Sequence, residues 1–227
     1  MSTVVLVRHG RTSANATGIL AGWTSGVELD DQGVRQAASV GERLSTLGLA
    51  GIVTSPLERT QQTARAIVDA HARPIPQFHV DEQVGECQYG EWTGQSLKKL
   101  AKDPLWKAVQ SHPSSVTFPG GESMSAMQQR AISAIRRWND HFGDGVYVVV
   151  SHGDVIKAIV ADALGTHLDH FQRISIDPCS VSIVHYTRSR PFVLRSNDTG
   201  SDLSFLTKQR KRSRKSDAVI GGGAGDD

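Results

Sequence analysis

Two histidines stand directly before a glycine at the end of apolar runs. VVLVRHG at 4–10 presents Arg8, His9 and Gly10, and VYVVVSHG at 146–153 presents His152 and Gly153. None of the other seven histidines is followed by glycine. One such residue, taken alone, reads as an imidazole hydrogen-bonded to a nearby loop. Two in matched positions predict a shared site, because ligands of an open parallel sheet bind beyond the carboxyl ends of its strands and glycine lets backbone N–H groups approach an anion. A third element comes from TSPLERTQQTA at 54–64, where Ser55 and Pro56 end an apolar run and Arg59 lies in the first turns of the next helix. Alone, Arg59 would pair with Glu58 or a solvated carboxylate. Beside Arg8 it supplies a second guanidinium fork, and two forks converging with two imidazoles suit a tetrahedral oxyanion such as phosphate.

The elements that must position these residues follow from periodicity. Thr3–Val7, Ala50–Thr54, Val146–Ser151 and Val181–Tyr186 are short, β-branched and bounded by turn residues, which predicts four strands. Helical spacing is predicted over Asp31–Leu47, with Asp30 or Asp31 as N-cap, and over Pro56–His71, Glu122–Phe142 and Val155–Leu164. Alternation of this kind predicts an α/β three-layer sandwich with a mostly parallel central sheet and helices on both faces. The stretch from Gln83 to Phe118 is broken by Gly85, Gly90, Gly94, Pro104 and Pro113 and reads as an excursion that covers the site.

Composition narrows the function classes. The 227 residues are 38% hydrophobic and 21% charged, which excludes a wholly disordered or fibrous chain. Two cysteines, Cys87 and Cys179, cannot build a disulfide framework and show no zinc spacing, so a reducing, cytoplasmic location is expected. Val4–Val7 reads as a first strand, not a signal peptide, and no run approaches the ~18 apolar residues of a membrane span. The formal charge of +2 hides an asymmetry, since the last twenty residues carry six cations against three aspartates, together with GGGAG at 221–225. Domain organisation is therefore expected to be one domain over 1–195 and a basic, Gly-rich, disordered tail over 196–227, a solvated appendage and not a nucleic-acid site.

The motifs together resemble the histidine phosphatase superfamily, the phosphoglycerate mutase-like family, over most of residues 3–187. They are Arg8-His9-Gly10 with Asn15 six positions past the histidine; Leu29, Gly33, Gln36 and Ala37; Ser55-Pro56-Leu57 with Arg59 and Thr60; ECQYGEWTG at 86–94; PGGES at 119–123; and Ser151-His152-Gly153. Six motifs in family order carry far more weight than one tripeptide. The resemblance implies that His9 attacks phosphorus and becomes phosphohistidine, while Arg8, Arg59 and His152 surround the phosphoryl oxygens. Gly10, Arg11, Thr12, Asn15 and Gly153 would bind substrate, and Glu86 would give and take the proton, with Glu91 as the competing carboxylate. No metal or cofactor is implied. Arg11 departs from the Glu or Gln of many family members, and its guanidinium would engage a second anionic group at the pocket mouth or point to solvent.

Membership alone leaves the reaction open between phosphomonoester phosphatase and phosphoglycerate mutase, with a non-catalytic phosphate-binding protein as the alternative from a different class. Only 66 positions separate Glu86 from His152. Cofactor-dependent mutases of the family carry a longer insertion there with an aromatic and paired-arginine motif, so a phosphatase acting on a small phosphorylated substrate is expected, with a homodimer left open. His167 and His170 read as a helix-start cluster and not a metal pair. Trp23, Trp92, Trp106 and Trp138 read as core or pocket packing.

Overall fold

The computed structural model describes residues 1–200. Its strands are β1 (Ser2–Arg8), β2 (Leu49–Thr54), β3 (Phe78–Val80), β4 (Val146–Ser151), β5 (Val181–Tyr186) and β6 (Pro191–Asp198). Its α-helices are α1 (Ser13–Thr17), α2 (Asp31–Leu44), α3 (Glu58–Ala70), α4 (Leu97–Leu100), α5 (Pro104–Ser111), α6 (Met124–Phe142) and α7 (Gly153–Ala163). They form one sheet in the order β3-β2-β4-β1-β5-β6, parallel from β3 to β1, with β5 and β6 added antiparallel.

The continuous apolar runs of β1 and β4 are buried because both faces of the sheet are covered. Side chains alternate across the pleat, so Val4, Leu6, Tyr147 and Val149 enter the core under α6 and α7, while Val5, Val7, Val148 and Val150 enter the core under α2 and α3. Those helices bury matching stripes. In α2 these are Ala37, Val40 and Leu44, after an Asp30 N-cap that accepts from Gly33 N–H at 2.8 Å. In α6 they are Met127, Ala131, Ala134 and Ile135, after a Ser123 N-cap. The three-layer α/β architecture expected from the sequence is thus observed. No helix among the described residues is long and apolar enough to cross a membrane.

Two strands lie beyond the expected four. β3 has only three residues and pairs along the edge of β2. β6 forms the opposite edge, and it runs through Ser196, where the domain had been expected to end. Its last turn is tied inward: Asn197 Oδ1 accepts from Asp177 N–H at 2.6 Å, and Asn197 Nδ2 donates to Asp177 Oδ2 at 2.7 Å. Asp198 pairs with Arg43 of α2 at 2.7 Å. The domain therefore extends at least to Asp198, which corrects the boundary at 195. The expected tail from 201 onward lies outside the described residues.

This yields a prediction about truncation. A chain ending after Arg195 should melt several degrees below one ending after Gly200, because it loses two hydrogen bonds to a half-buried loop, at about 1 kcal/mol each, and a shift of 1 kcal/mol moves the melting temperature of a domain this size by roughly 2–4 °C. Equal melting curves by circular dichroism would show that the Asn197 contacts contribute nothing.

Candidate active site

Strand register explains why the two His-Gly pairs meet. Arg8 lies opposite Ser151 in the parallel β1–β4 ladder, so His9 and His152, one residue further on, leave adjacent strands at the same level. Their ring centroids are 5.3 Å apart. β2 ends beside them, and Ser55 just past it sits 2.8 Å, Oγ to Nε2, from His152. α3 starts three residues after Ser55, which brings Arg59 of its first turn over the same strand ends.

Each ring nitrogen has a defined environment. His9 donates from Nδ1 to its neighbour's carbonyl, Gly10 O, at 2.7 Å, which fixes the tautomer and leaves the Nε2 lone pair available. Burial, followed by the positive fields of Arg59 and Arg8, holds His9 well below the usual imidazole range, so it is neutral. The same causes, burial first and Arg59 next, keep His152 neutral. Its Nδ1 lies 3.4 Å from Arg59 Nη2 and 3.8 Å from Glu86 Oε2.

Both arginines are almost wholly buried. Arg8 donates from Nη1 to Ile176 O at 2.9 Å, and burial lowers its pKa to about 10, so it stays charged at neutral pH. Arg59 donates from Nη2 to Gly22 O at 2.8 Å, while its Nη1 is buried without a hydrogen-bond partner among the described residues. A buried, unmatched guanidinium N–H costs free energy unless an acceptor arrives. An anion on the cavity wall would supply that acceptor.

Glu86 and Glu91 are separated by geometry. Glu91 is exposed, whereas Glu86 is 3% exposed and faces His152. Burial, reinforced by Asp154, lifts the Glu86 carboxyl to about 7 against the pull of Arg59 and Arg8. Its Oε1 accepts from Cys87 N–H at 3.0 Å and lies 3.4 Å from the Tyr89 hydroxyl, which donates to Asp154 Oδ2 at 2.9 Å. A carboxyl that titrates near neutrality can act as both acid and base.

The segment carrying Glu86 is held from behind by a residue that motif reading missed. Arg130 of α6 donates to the carbonyls of Gln83, Gly85 and Glu86 at 2.8–2.9 Å and forms two hydrogen bonds with the Glu122 carboxylate. Trp23 adds a donor to Glu86 O at 2.6 Å, so this tryptophan packs at the pocket while Trp92 and Trp106 stack in the core. Asp154 and Arg130 lie outside the motifs, and Tyr89, inside ECQYGEWTG, takes no role from its motif; Asp154 and Tyr89 are fully buried and Arg130 is half-buried. His167 caps the 3-10 turn Leu168–Arg173, as its helix-start reading expected.

The expected substrate-binding residues divide. Asn15 and Thr12 line the cavity with His9, Arg59 and Glu86. They also form a capping box at α1 in which Asn15 Oδ1 accepts from Thr12, leaving the Asn15 amide N–H groups as its donors. Gly153 is the buried first residue of α7.

Two expectations are corrected. The Gly10 N–H donates to Thr63 Oγ1 at 3.1 Å and is not presented to an anion; glycine is required there because a Cβ would lie 2.6 Å from Gly33 O. Arg11 is claimed by Asp30, Nε to Oδ2 2.9 Å, so it does not project as a second anion site.

Comparison with known proteins agrees with this geometry. The model of the histidine phosphatase superfamily (branch 1) matches residues 4–199. A probable phosphoglycerate mutase GpmB from Erwinia tasmaniensis is 32% identical over 210 residues, 91% of this chain and 95% of that protein. Phosphoserine phosphatase 1 from Hydrogenobacter thermophilus is 28% identical over 215 residues, 93% of this chain and 99% of that one. Among solved structures, Bacillus stearothermophilus YhfR superposes with a TM-score of 0.81 at 28% identity, covering 87% of this chain and 98% of that one.

Proposed function

The chain belongs to the histidine phosphatase superfamily, and from that premise we propose that it is a phosphomonoester phosphatase working through a phosphohistidine on His9. The observation that carries the reading is a neutral histidine with a free Nε2 beside the buried Arg59 guanidinium, whose Nη1 has no hydrogen-bond partner among the described residues.

In the first half-reaction the His9 Nε2 lone pair forms a bond to phosphorus as the ester P–O bond breaks. Glu86 gives its proton to the leaving alkoxide. The imidazole gains positive charge, which the Gly10 carbonyl at Nδ1–H stabilises. Arg8 and Arg59 supply fixed positive charge to the phosphoryl oxygens, and a dianion between the rings raises the proton affinity of His152, making its Nδ1 a donor. In the second half-reaction water attacks phosphorus, Glu86 takes the proton, the P–N bond breaks and neutral His9 returns with inorganic phosphate released.

Hydrolysis is favoured over phosphoryl return by the short connection between Glu86 and His152, 66 positions broken by glycine and proline. A mutase must keep its phosphorylated intermediate from water, which asks for a more extensive cover. Two unpaired buried thiols fit a reducing compartment, and we place the enzyme in the cytoplasm.

The test is a rapid quench with labelled substrate in excess chelator. Acid-labile, base-stable phosphate is expected on His9 within the first turnover and absent from His9→Ala. Hydrolysis that persists in His9→Ala, or that needs an added divalent ion, would sink the reading.

A further inference from the structure

The cavity above His9 has two unlike ends. The polar end is made by His9, Arg59, Glu86, Asn15 and Thr12, and the phosphoryl transfer uses the first three of these. The rest of the wall is mostly aliphatic, with Ala14 from α1, Ile19, Leu20 and Ala21 from the loop after it, and Leu97 from α4. Among the described residues Arg59 is the one cation lining this cavity, and a bound phosphoryl group takes it. Arg11, the next cation along the chain from His9, is held by the Asp30 carboxylate.

Resting on the phosphatase reading, we propose that the site selects phosphomonoesters whose alcohol portion carries no carboxylate. A carboxylate on the leaving group would lose hydration against the aliphatic wall without a cation to replace it, which is costly for any buried charge. It would also stand beside Glu86 at the end of the first half-reaction, when Glu86 has given its proton to the leaving alkoxide and is itself ionised. A hydroxymethyl group in the same place is neutral and loses far less, and an aryl ring gains from the apolar wall.

The proposal separates two near-isosteric substrates, glycerol 1-phosphate and 3-phosphoglycerate, which differ at one end by a hydroxymethyl in place of a carboxylate. The full chain is assayed on both and on phenyl phosphate at fixed ionic strength. The expected kcat/KM is at least about tenfold higher for glycerol 1-phosphate than for 3-phosphoglycerate, with phenyl phosphate equal to or above glycerol 1-phosphate; tenfold corresponds to about 1.4 kcal/mol.

Ala21→Lys, which adds a cation to the aliphatic wall, should narrow the ratio mainly through a lower KM for 3-phosphoglycerate. Leu97→Lys repeats the test from a different element should the first variant fold poorly by circular dichroism.

Equal or faster hydrolysis of 3-phosphoglycerate overturns the proposal while leaving the phosphatase reading intact. A tenfold ratio that neither lysine variant changes overturns the assignment of selectivity to this wall. Release of phosphate from none of the three esters, with no phosphate trapped on His9, overturns the phosphatase reading and the proposal with it.

Discussion

Glu86→Gln is expected to slow hydrolysis of an alkyl phosphate by about 10²–10⁴, the range for loss of a general acid. The amide keeps the size of the side chain and an acceptor for Cys87 N–H but has no acidic proton to give. An alkoxide is a strongly basic leaving group and departs slowly without protonation; an activated phenolate leaves well unaided. Phosphorylation by an aryl phosphate should therefore be affected far less. Because Glu86 also activates water, the variant should show a fast burst with the aryl substrate and then a slow steady state.

The pH profile gives a second readout. With the Glu86 carboxyl titrating near 7, the phosphorylation step on an alkyl phosphate should decline as pH rises through that value, since the acid is then ionised. The Gln variant should lack this limb. If Glu91→Gln gives the burst pattern and Glu86→Gln matches the parent on both substrates, the assignment of the buried carboxyl fails.

Arg59→Met should reduce the rate of His9 phosphorylation by about 10²–10³, the usual cost of removing one donor aimed at a developing oxyanion. Methionine fills comparable volume but brings neither charge nor the unmatched Nη1–H. Gly22 O loses its 2.8 Å donor as well, which costs about 1–3 kcal/mol of stability and should appear as a lower melting temperature. A shift in His9 titration distinguishes the catalytic effect from this structural one. Arg59 is the largest charge effect depressing His9, so in its absence the imidazole gains a proton more readily and the acid limb of the phosphorylation rate moves to higher pH. A phosphorylation rate within twofold of the parent, measured by quench flow, would remove Arg59 from the mechanism.

Much of this site was legible because strand periodicity and strand register cooperate. A continuous apolar run predicts a central strand, and two such strands paired in parallel place equivalent terminal residues side by side, so His9 and His152 needed no tertiary information to be associated. Arg59 followed because α3 begins immediately after β2. By contrast β3 is too short for a period to emerge, and β6 pairs along an edge where exposure leaves Phe192 and Leu194 half in solvent, without a buried stripe. Gly10 and Arg11 were misread for a common reason. Their roles depend on Thr63, Gly33 and Asp30, which come from α2, α3 and the turn before α2. Asp154 was invisible for the same cause, since its link to Glu86 through the Tyr89 hydroxyl exists only after α7 packs against the excursion.

The two cysteines flank the two halves of this site. Cys87 follows Glu86 and is fully buried, and Cys179 gives its N–H to the carbonyls of Arg8 and His9. Burial pushes the Cys87 thiol well above its usual value and the Cys179 thiol to about 12, so neither forms an appreciable thiolate in the native state at neutral pH. Chemical modification of either sulfur consequently waits for its own segment to open. The chain thus carries two built-in clocks for local unfolding, one on the wall that bears the proton donor and one on the wall that bears Arg8. Bound vanadate, by favouring the closed form, should slow whichever clock belongs to the wall it touches.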